Sequence, residues 1–273
     1  MINNYLTPKN QSLSKFNYLI ILLVVAFNFS SNAQRMVCFE ETDSVLYTNA
    51  TNMQKVIIKF PENFDSNKSY PLLIALHGNG GTAKDMASVF IPFNNKEVIV
   101  AVPEGQYPRI INENIGFSWY YFTNNVQLSM LADNIVLEQV LGLIDNISNL
   151  YKIQDIFIMG FSQGASLAYT IGFKSPEKVV GIIAVGGSLP IIDARGSIVS
   201  SKEIVKAKDL KILLSRGNND RLCKKKNFNE QKDFLTKKGL VTTSFEYQGG
   251  HFLTPDFLET VFIWITESSQ TKQ

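Results

Sequence analysis

Short and almost purely apolar runs recur along this 273-residue chain, separated by polar or amphipathic stretches. A strand covered on both faces of a sheet is apolar at successive positions, whereas a half-exposed strand alternates. The runs LLIAL, VIVAV, IFIMG, GIIAV and KILL therefore predict buried strands. The predicted strands are Val56–Phe60, Tyr70–His77, Val98–Pro103, Ile156–Ser162, Val180–Gly186, Lys211–Gly217 and Ser244–Gln248.

The segments between these runs have helical character. The longest keeps apolar side chains at helical spacing, among them Val140, Leu143 and Ile147, with polar residues between them. Strands that alternate with helices in this way predict an α/β fold, with a mostly parallel central sheet flanked by helices. The predicted helices are Thr82–Ser88, Met130–Tyr151, Gly164–Phe173, Lys225–Lys238 and Pro255–Ser268.

The first 33 residues have a different pattern. A positively charged start is followed by an uncharged apolar run over Tyr18–Phe27 and by small residues at Ser31 and Ala33. This order is typical of a secretory signal peptide that is cleaved after Ala33. An uncleaved membrane anchor is the alternative, but the apolar run is only about half of the ~20 residues that a spanning helix needs. We predict a signal peptide over residues 1–33, one domain over residues 34–273, and a secreted or periplasmic protein without stable membrane insertion.

The charge balance argues against a large basic surface. The full chain has 26 basic and 24 acidic residues, and the predicted signal peptide holds Lys9, Lys15 and no acidic residue. Residues 34–273 therefore have a formal net charge of zero, which favours neither nucleic acid nor an anionic membrane as the main partner.

The two cysteines and two histidines stand singly along the chain, without the spacing of a zinc site. The sequence therefore predicts no metal site. Export would allow a disulfide between Cys38 and Cys223, and a packed thiol at Cys223 is the alternative.

The sequence Gly160-Phe161-Ser162-Gln163-Gly164 lies between a predicted strand and a predicted helix. It matches the G-x-S-x-G nucleophile elbow of the α/β-hydrolase fold, in which a sharp strand-to-helix turn exposes the serine. The glycines keep Cβ atoms out of the turn, and the helix N-terminus stabilises developing negative charge. Ser162 is therefore the predicted nucleophile, with an ordinary turn serine as the alternative.

A serine is a poor nucleophile unless a base accepts its proton. The chain has two histidines, and in the α/β-hydrolase fold the order along the chain is serine, acid, histidine. His251 follows the last predicted strand in a Gly-Gly-His loop, whereas His77 precedes Ser162. We predict that His251 is the general base and that His77 is structural, with its ring hydrogen-bonded to nearby backbone.

The acid should follow a strand that lies between Ser162 and His251 in the sequence. Asp220 comes directly after the strand Lys211–Gly217, where its carboxylate can orient the histidine ring and stabilise the imidazolium. Asp193 is the rival carboxylate in this part of the chain. We predict Asp220 because of its position in the loop after the strand.

Acyl transfer also needs two N–H groups that point at the developing oxyanion. One comes from the residue after the nucleophile and the other from an early loop, here His77-Gly78-Asn79-Gly80-Gly81. We predict the main-chain N–H groups of Gln163 and Asn79 as these donors. A glycine-rich turn without a catalytic role is the alternative.

Two connections are longer than a minimal fold requires. Residues 106–128 are rich in aromatic side chains, and we expect them to form the rim of a pocket with Trp119 in contact with substrate. Residues 188–209 are too few for a separate cap domain, so the sequence predicts an open cleft.

The segments LHGNGG, GFSQGA, RGNND and GGH together resemble the phospholipase/carboxylesterase family, which includes the acyl-protein thioesterases. The resemblance aligns the family's oxyanion loop, elbow, acid loop and histidine loop with His77–Gly81, Gly160–Ala165, Gly217–Asp220 and Gly250–His251. It extends over nearly all of residues 34–273. The early loop HGNGG is closer to secreted feruloyl esterases and polyhydroxybutyrate depolymerases than to the HGLGD of the thioesterases.

The residues and the resemblance together imply an exported serine carboxylesterase that acts through an acyl-enzyme and needs no cofactor. Its substrate would be a small-molecule or polymer-attached ester. Alternatives are a thioesterase or lysophospholipase-like acyl hydrolase, a non-catalytic binding protein with the hydrolase fold, and a peptidase, which would need a gating domain.

Overall fold

The computed structural model describes residues 36–39, 44–47, 53–111, 113–190 and 199–270. The chain divides into two compact units, Met1–Asn52 and Met53–Gln273. In the first unit, β1 (Met36–Phe39) and β2 (Ser44–Tyr47) pair as an antiparallel hairpin. The predicted signal peptide, residues 1–33, lies outside the described residues.

The larger unit is built on a seven-stranded sheet, with a separate two-stranded hairpin. The strands of this unit are β3 (Val56–Lys59), β4 (Tyr70–Leu76), β5 (Ile99–Pro103), β6 (Tyr107–Ile111), β7 (Asn114–Ser118), β8 (Ile153–Phe161), β9 (Gly181–Val185), β10 (Lys211–Gly217) and β11 (Val241–Tyr247). The order in the large sheet is β11-β10-β9-β8-β4-β5-β3. Only β3 is antiparallel to its neighbour in this sheet, so the predicted mostly parallel sheet is confirmed.

Helices connect the parallel strands and cover the sheet. Their ends are partly set by side chains. Asn125 accepts a hydrogen bond from the Leu128 N–H at the start of the helix Val126–Leu150, and Ser200 with Glu203 forms a capping box at the helix Ser201–Lys206. The helices are α1 (Ala83–Ser88), α2 (Val126–Leu150), α3 (Gln163–Lys174), α4 (Ser201–Lys206), α5 (Lys225–Lys237) and α6 (Pro255–Gln270), with a 3₁₀ turn at Ile91–Phe93.

The hydrophobic core has two parts, one on each face of the sheet. Alternate residues of β4 belong to different parts, with Leu72 and Ile74 in one and Leu73 and Ala75 in the other. Helices α2, α3 and α5 contribute to the first part, and α1 and α6 contribute to the second. This two-sided burial is the physical reason why the central strands are apolar at successive positions.

The long connection after β5 contains a β-hairpin, β6–β7, that the sequence analysis did not predict. The hairpin is joined to the early glycine-rich loop, because Gly80 N–H donates to Phe117 O (2.8 Å) and Phe117 N–H donates to Gly81 O (2.9 Å). A Cβ atom on Gly116 would lie 1.9 Å from Gly80 O, so only glycine allows this contact. The hairpin therefore lies beside the early loop.

The connection after β9 contains α4, and its residues 191–198 lie outside the described part of the chain. Across the described ranges, no helix has the length and apolar character needed to cross a membrane.

Candidate active site

Ser162 lies in the sharp turn between β8 and α3, with φ 54° and ψ −114°. A positive φ is strained for a residue with a side chain and is typical of functional turns. A Cβ atom on Gly160 would lie 2.0 Å from Gly164 O, and one on Gly164 would lie 2.5 Å from Leu76 O. The two glycines of the motif are thus required by close contacts of backbone with backbone.

The parallel sheet brings three predicted residues to one edge. Ser162 follows β8, Asp220 follows β10 and His251 follows β11, and parallel strands have their carboxyl ends at the same edge. The Nε2 atom of His251 lies 2.9 Å from Ser162 Oγ, and its Nδ1 atom lies 2.7 Å from Asp220 Oδ2. This is the geometry in which a serine, a base and an acid can act as one unit.

The Asp220 side chain is fully buried, and all of its described hydrogen bonds favour one orientation. Oδ1 accepts the N–H groups of Leu222 and Cys223, each at 2.8 Å. Oδ2 is left to face the ring of His251. The turn after β10 therefore positions the carboxylate as well as supplying it. The rival residue, Asp193, lies outside the described residues.

Two glycines after β9 support the site, although the sequence analysis gave them no part in the chemistry. Gly186 has φ 61°, and a Cβ atom on it would lie 3.2 Å from Asp220 Oδ2. A Cβ atom on Gly187 would lie 2.3 Å from Ser162 O. The signal available in the sequence was a Gly-Gly pair directly after a buried strand.

The early loop lies against the nucleophile, since a Cβ atom on Gly78 would lie 3.3 Å from Ser162 Cβ. Among the described residues, the N–H of Asn79 donates to no main-chain acceptor. Gln163 is the first residue of α3, so its N–H has no acceptor within the helix. Neither predicted oxyanion donor is therefore taken up by a described main-chain hydrogen bond, and one lies in the early loop while the other directly follows Ser162.

The prediction that Trp119 contacts substrate is wrong in this structure, because its side chain has no exposed surface. Its indole Nε1 donates to His77 O (2.8 Å), and its ring packs against the His77 ring with centroids 4.7 Å apart. Its own N–H donates to Oε1 of Gln163 (2.9 Å). Trp119 thus connects the early loop to the elbow through hydrogen bonds in the protein interior, and it does not line the cleft.

A cleft of about 300 Å³ opens at Ser162 and His251. Its lining beyond the predicted catalytic residues includes polar side chains, Ser166, Ser188 and Asn227, and the largely exposed Leu222. A larger cavity of about 650 Å³ lies at the opposite edge of the sheet, at the amino ends of β8 to β10. Of these two cavities, the cleft is the one that is lined by the predicted nucleophile, Ser162, and the predicted base, His251.

The described ranges contain no cluster of three or more histidine, cysteine, aspartate or glutamate side chains that could hold a metal ion. Cys223 is a buried free thiol beside Asp220, and the side chain of Cys38 lies outside the description. Burial raises the pKa of the Cys223 thiol, and the Asp220 carboxylate raises it further, so the protonated form is favoured.

Comparisons with known proteins agree with this architecture. A model of the phospholipase/carboxylesterase family matches residues 63–268. Among solved structures, acyl-protein thioesterase 2 from Zea mays superposes with a TM-score of 0.62 at 16% identity, over 80% of this chain and 100% of that one. A carboxylesterase from Bacillus cereus gives 0.59 at 19% identity, over 79% and 95%.

A phospholipase/carboxylesterase from Dyadobacter fermentans gives a TM-score of 0.57 at 23% identity, over 80% of this chain and 99% of that one. At these identities the solved structures establish the fold alone. No curated protein matches the chain significantly.

Proposed function

Because the chain belongs to the phospholipase/carboxylesterase family, we propose that it is an exported serine carboxylesterase that works through an acyl-enzyme. The observation that carries this proposal is the continuous hydrogen-bonded line from Ser162 Oγ through His251 to Asp220. Ser162 has a strained positive φ and lines the cleft, a conformation that a non-catalytic protein would have no need to keep.

In the first half of the reaction, Ser162 Oγ attacks the ester carbonyl carbon while His251 Nε2 takes the hydroxyl proton. The Asp220 carboxylate accepts the Nδ1–H of His251 and stabilises the imidazolium that forms. The tetrahedral intermediate then collapses. His251 gives its proton to the leaving alkoxide, the alcohol departs, and the acyl group remains on Ser162.

In the second half, a water molecule takes the place of the alcohol. His251 removes a proton from the water as it attacks the acyl-enzyme, and then returns the proton to Ser162 Oγ when the acid leaves. The enzyme is regenerated, and the net reaction consumes one water molecule per ester. No step requires a group beyond this chain, the ester and water.

In both halves the carbonyl oxygen becomes negatively charged. The N–H groups of Asn79 and Gln163 are the proposed donors to this oxyanion, and removing one such donor typically costs a factor of about 10²–10³ in kcat. The partial positive charge at the N-terminus of α3, which begins at Gln163, acts in the same direction.

The shape of the cleft supports compact esters as substrates. Its volume of about 300 Å³ and its polar lining residues, Ser166, Ser188 and Asn227, suit a short acyl chain or a small hydroxylated alcohol better than a palmitoyl chain. Free small molecules and ester groups on a polymer are both included. The N-terminal pattern of residues 1–33 supports export, and neither nucleic acid nor a membrane is a proposed partner.

The test is a chain-length series of p-nitrophenyl esters from acetyl to palmitoyl, with feruloyl and acetylated-sugar esters and an acyl thioester, using Ser162→Ala as the inactive control. We expect the highest kcat/KM for acetyl to butyryl or hydroxycinnamoyl esters. A clear preference for palmitoyl esters or for thioesters would favour the lysophospholipase or thioesterase alternative. Equal rates in Ser162→Ala and the unmodified protein would contradict a serine hydrolase.

A further inference from the structure

His77 directly follows β4 and is almost fully buried, at 2% exposure; it is not part of the hydrogen-bonded line of Ser162, His251 and Asp220. Its Nε2 atom faces the N–H of Gly105 at 2.9 Å, and its Nδ1 atom faces the carbonyl oxygen of Gly78 at 2.7 Å. Because Nε2 must accept the bond from Gly105, the single ring proton is on Nδ1 and is donated to Gly78 O. Burial also holds the pKa of His77 below its ordinary value, which favours this neutral form.

The Gly78 carbonyl belongs to the same peptide group as the Asn79 N–H. A trans peptide is planar, and its C=O and N–H point in opposite directions. Gly78 O is held by two donors, the His77 Nδ1–H and the Gly81 N–H at 3.0 Å. Fixing the carbonyl therefore fixes the direction of the Asn79 N–H, which is the proposed oxyanion donor.

The backbone of His77 is itself linked to the elbow that carries the nucleophile. The carbonyl of His77 accepts the indole N–H of Trp119, and the backbone N–H of Trp119 donates to the side chain of Gln163. Gln163 also donates from Nε2 to the Ser118 hydroxyl (3.0 Å). A chain of hydrogen bonds thus links the residue that carries one oxyanion donor to the residue that carries the other.

We propose that His77 is a positioning residue of the oxyanion hole: its Nδ1–H turns the Gly78–Asn79 peptide so that the Asn79 N–H points at the oxyanion. Trp119 and the Gln163 side chain hold this arrangement against the nucleophile. The inference rests on the proposed esterase function. It assigns His77, which has no place in the proton relay, an effect on the transition state in addition to its effect on folding.

Two substitutions distinguish the two hydrogen bonds of the His77 ring, because each removes one of them and keeps the other. In His77→Asn the amide nitrogen stands where Nδ1 stood and can still donate to Gly78 O, while the acceptor for Gly105 is lost. In His77→Gln the amide reaches the position of Nε2 and can still accept from Gly105, while the donor to Gly78 O is lost. Each variant keeps one buried bond, so we expect similar losses of thermal stability.

The activities of the two variants should differ. We expect kcat of His77→Gln to fall by about 10–10², since a misdirected donor is a partial loss of the oxyanion hole, while KM changes less than threefold. His77→Asn should keep at least tenfold more of the original kcat than His77→Gln. The Ki of a trifluoromethyl ketone, whose adduct with Ser162 carries an oxyanion, should rise in His77→Gln by the same factor by which kcat falls.

A third variant tests the same network without changing the histidine. Trp119→Phe keeps a buried aromatic ring and removes the indole N–H that donates to His77 O. We expect kcat and the affinity for the trifluoromethyl ketone to fall together by about tenfold, with KM nearly unchanged. If the substitutions at His77 prevent folding, Trp119→Phe still tests the proposal.

Equal kcat values for folded His77→Asn and His77→Gln, or a Trp119→Phe variant that loses stability but not ketone affinity, would overturn the proposal. Ser162→Ala distinguishes this failure from failure of the proposed function. An inactive Ser162→Ala alongside equal His77 variants rejects only the role of His77, whereas an active Ser162→Ala rejects the esterase mechanism on which it rests.

Discussion

Replacing Asp220 by asparagine should inactivate the protein while leaving its fold intact, and the structure explains why asparagine cannot compensate. The N–H groups of Leu222 and Cys223 both point at Oδ1, each at 2.8 Å. In Asp220→Asn the amide oxygen must take that place, because an NH₂ group there would face two donors. The amide nitrogen is then directed at His251 Nδ1.

That orientation reverses the tautomer of the base. Nδ1 of His251 would have to accept from the amide, so the ring proton would move to Nε2, which lies 2.9 Å from Ser162 Oγ. A protonated Nε2 cannot take the hydroxyl proton. The expected loss is about 10⁴ in kcat, equivalent to about 5.5 kcal/mol of transition-state stabilisation at 1.36 kcal/mol per factor of ten.

The assay is steady-state hydrolysis of p-nitrophenyl butyrate, with circular dichroism and thermal unfolding to confirm that Asp220→Asn is folded. Asp193→Asn, at the rival carboxylate of the sequence analysis, is the matched control and should lose little activity. A loss smaller than about tenfold in Asp220→Asn, or a larger loss in Asp193→Asn, would refute the assignment of the acid.

Three further predictions follow from contacts and burial. Gly187→Ala should lower kcat at least tenfold because its Cβ atom would lie 2.3 Å from Ser162 O. Gly142→Ala is the control: its Cβ atom would have no neighbour within 4 Å, so activity should be unchanged and α2 should be stabilised by up to about 1 kcal/mol. Asn79→Ala should lose far less than the ~10²–10³ in kcat expected for deleting an oxyanion donor, since the main-chain N–H is kept; a full loss would assign the donor to the side chain. Burial raises the pKa of Asp133 from 3.8 to about 7, so the folded state holds this proton more tightly than the unfolded chain and loses stability as the pH rises from about 4 to 7. After allowance for partial solvent screening, Asp133→Asn should therefore stabilise the protein by about 1–2 kcal/mol more at pH 8 than at pH 4.5, and an equal effect at both values would contradict this.

The central strands were predictable because two-sided burial leaves an unambiguous apolar pattern. The ends of the strands were harder to predict. β11 begins at Val241, three residues before the predicted start, because it is an edge strand with alternating exposure rather than a continuous apolar run. Helix α2 begins at Val126, four residues before its predicted start, since its first turn is exposed and is set by the Asn125 cap rather than by apolar spacing.

The hairpin β6–β7 escaped prediction for a related reason. Two of its isoleucines, Ile110 and Ile115, are 77% and 71% exposed, so the usual link between apolar residues and burial fails there. Its position depends on contacts with the early loop, more than 30 residues away in sequence, through Gly80 and Phe117.

The residues that the structure brings together at Ser162 were identifiable because each stands in a short local motif at the end of a strand. The environment of Trp119 was not. Aromatic residues in a long loop predict an exposed rim, and nothing local reveals that the ring of Trp119 is covered by His77 and that its backbone is bound by Gln163. The orienting bond from His77 to Gly78 O likewise depends on Gly105, which is distant in sequence.

Covalent capture of the nucleophile decides whether Ser162 is the reacting residue. The purified protein is incubated with a fluorophosphonate, digested, and examined by mass spectrometry to locate the modified residue. We expect stoichiometric modification of Ser162 in parallel with loss of esterase activity, and no modification of Ser162→Ala. Modification of another serine in parallel with the loss of activity, or full esterase activity in Ser162→Ala, would contradict it.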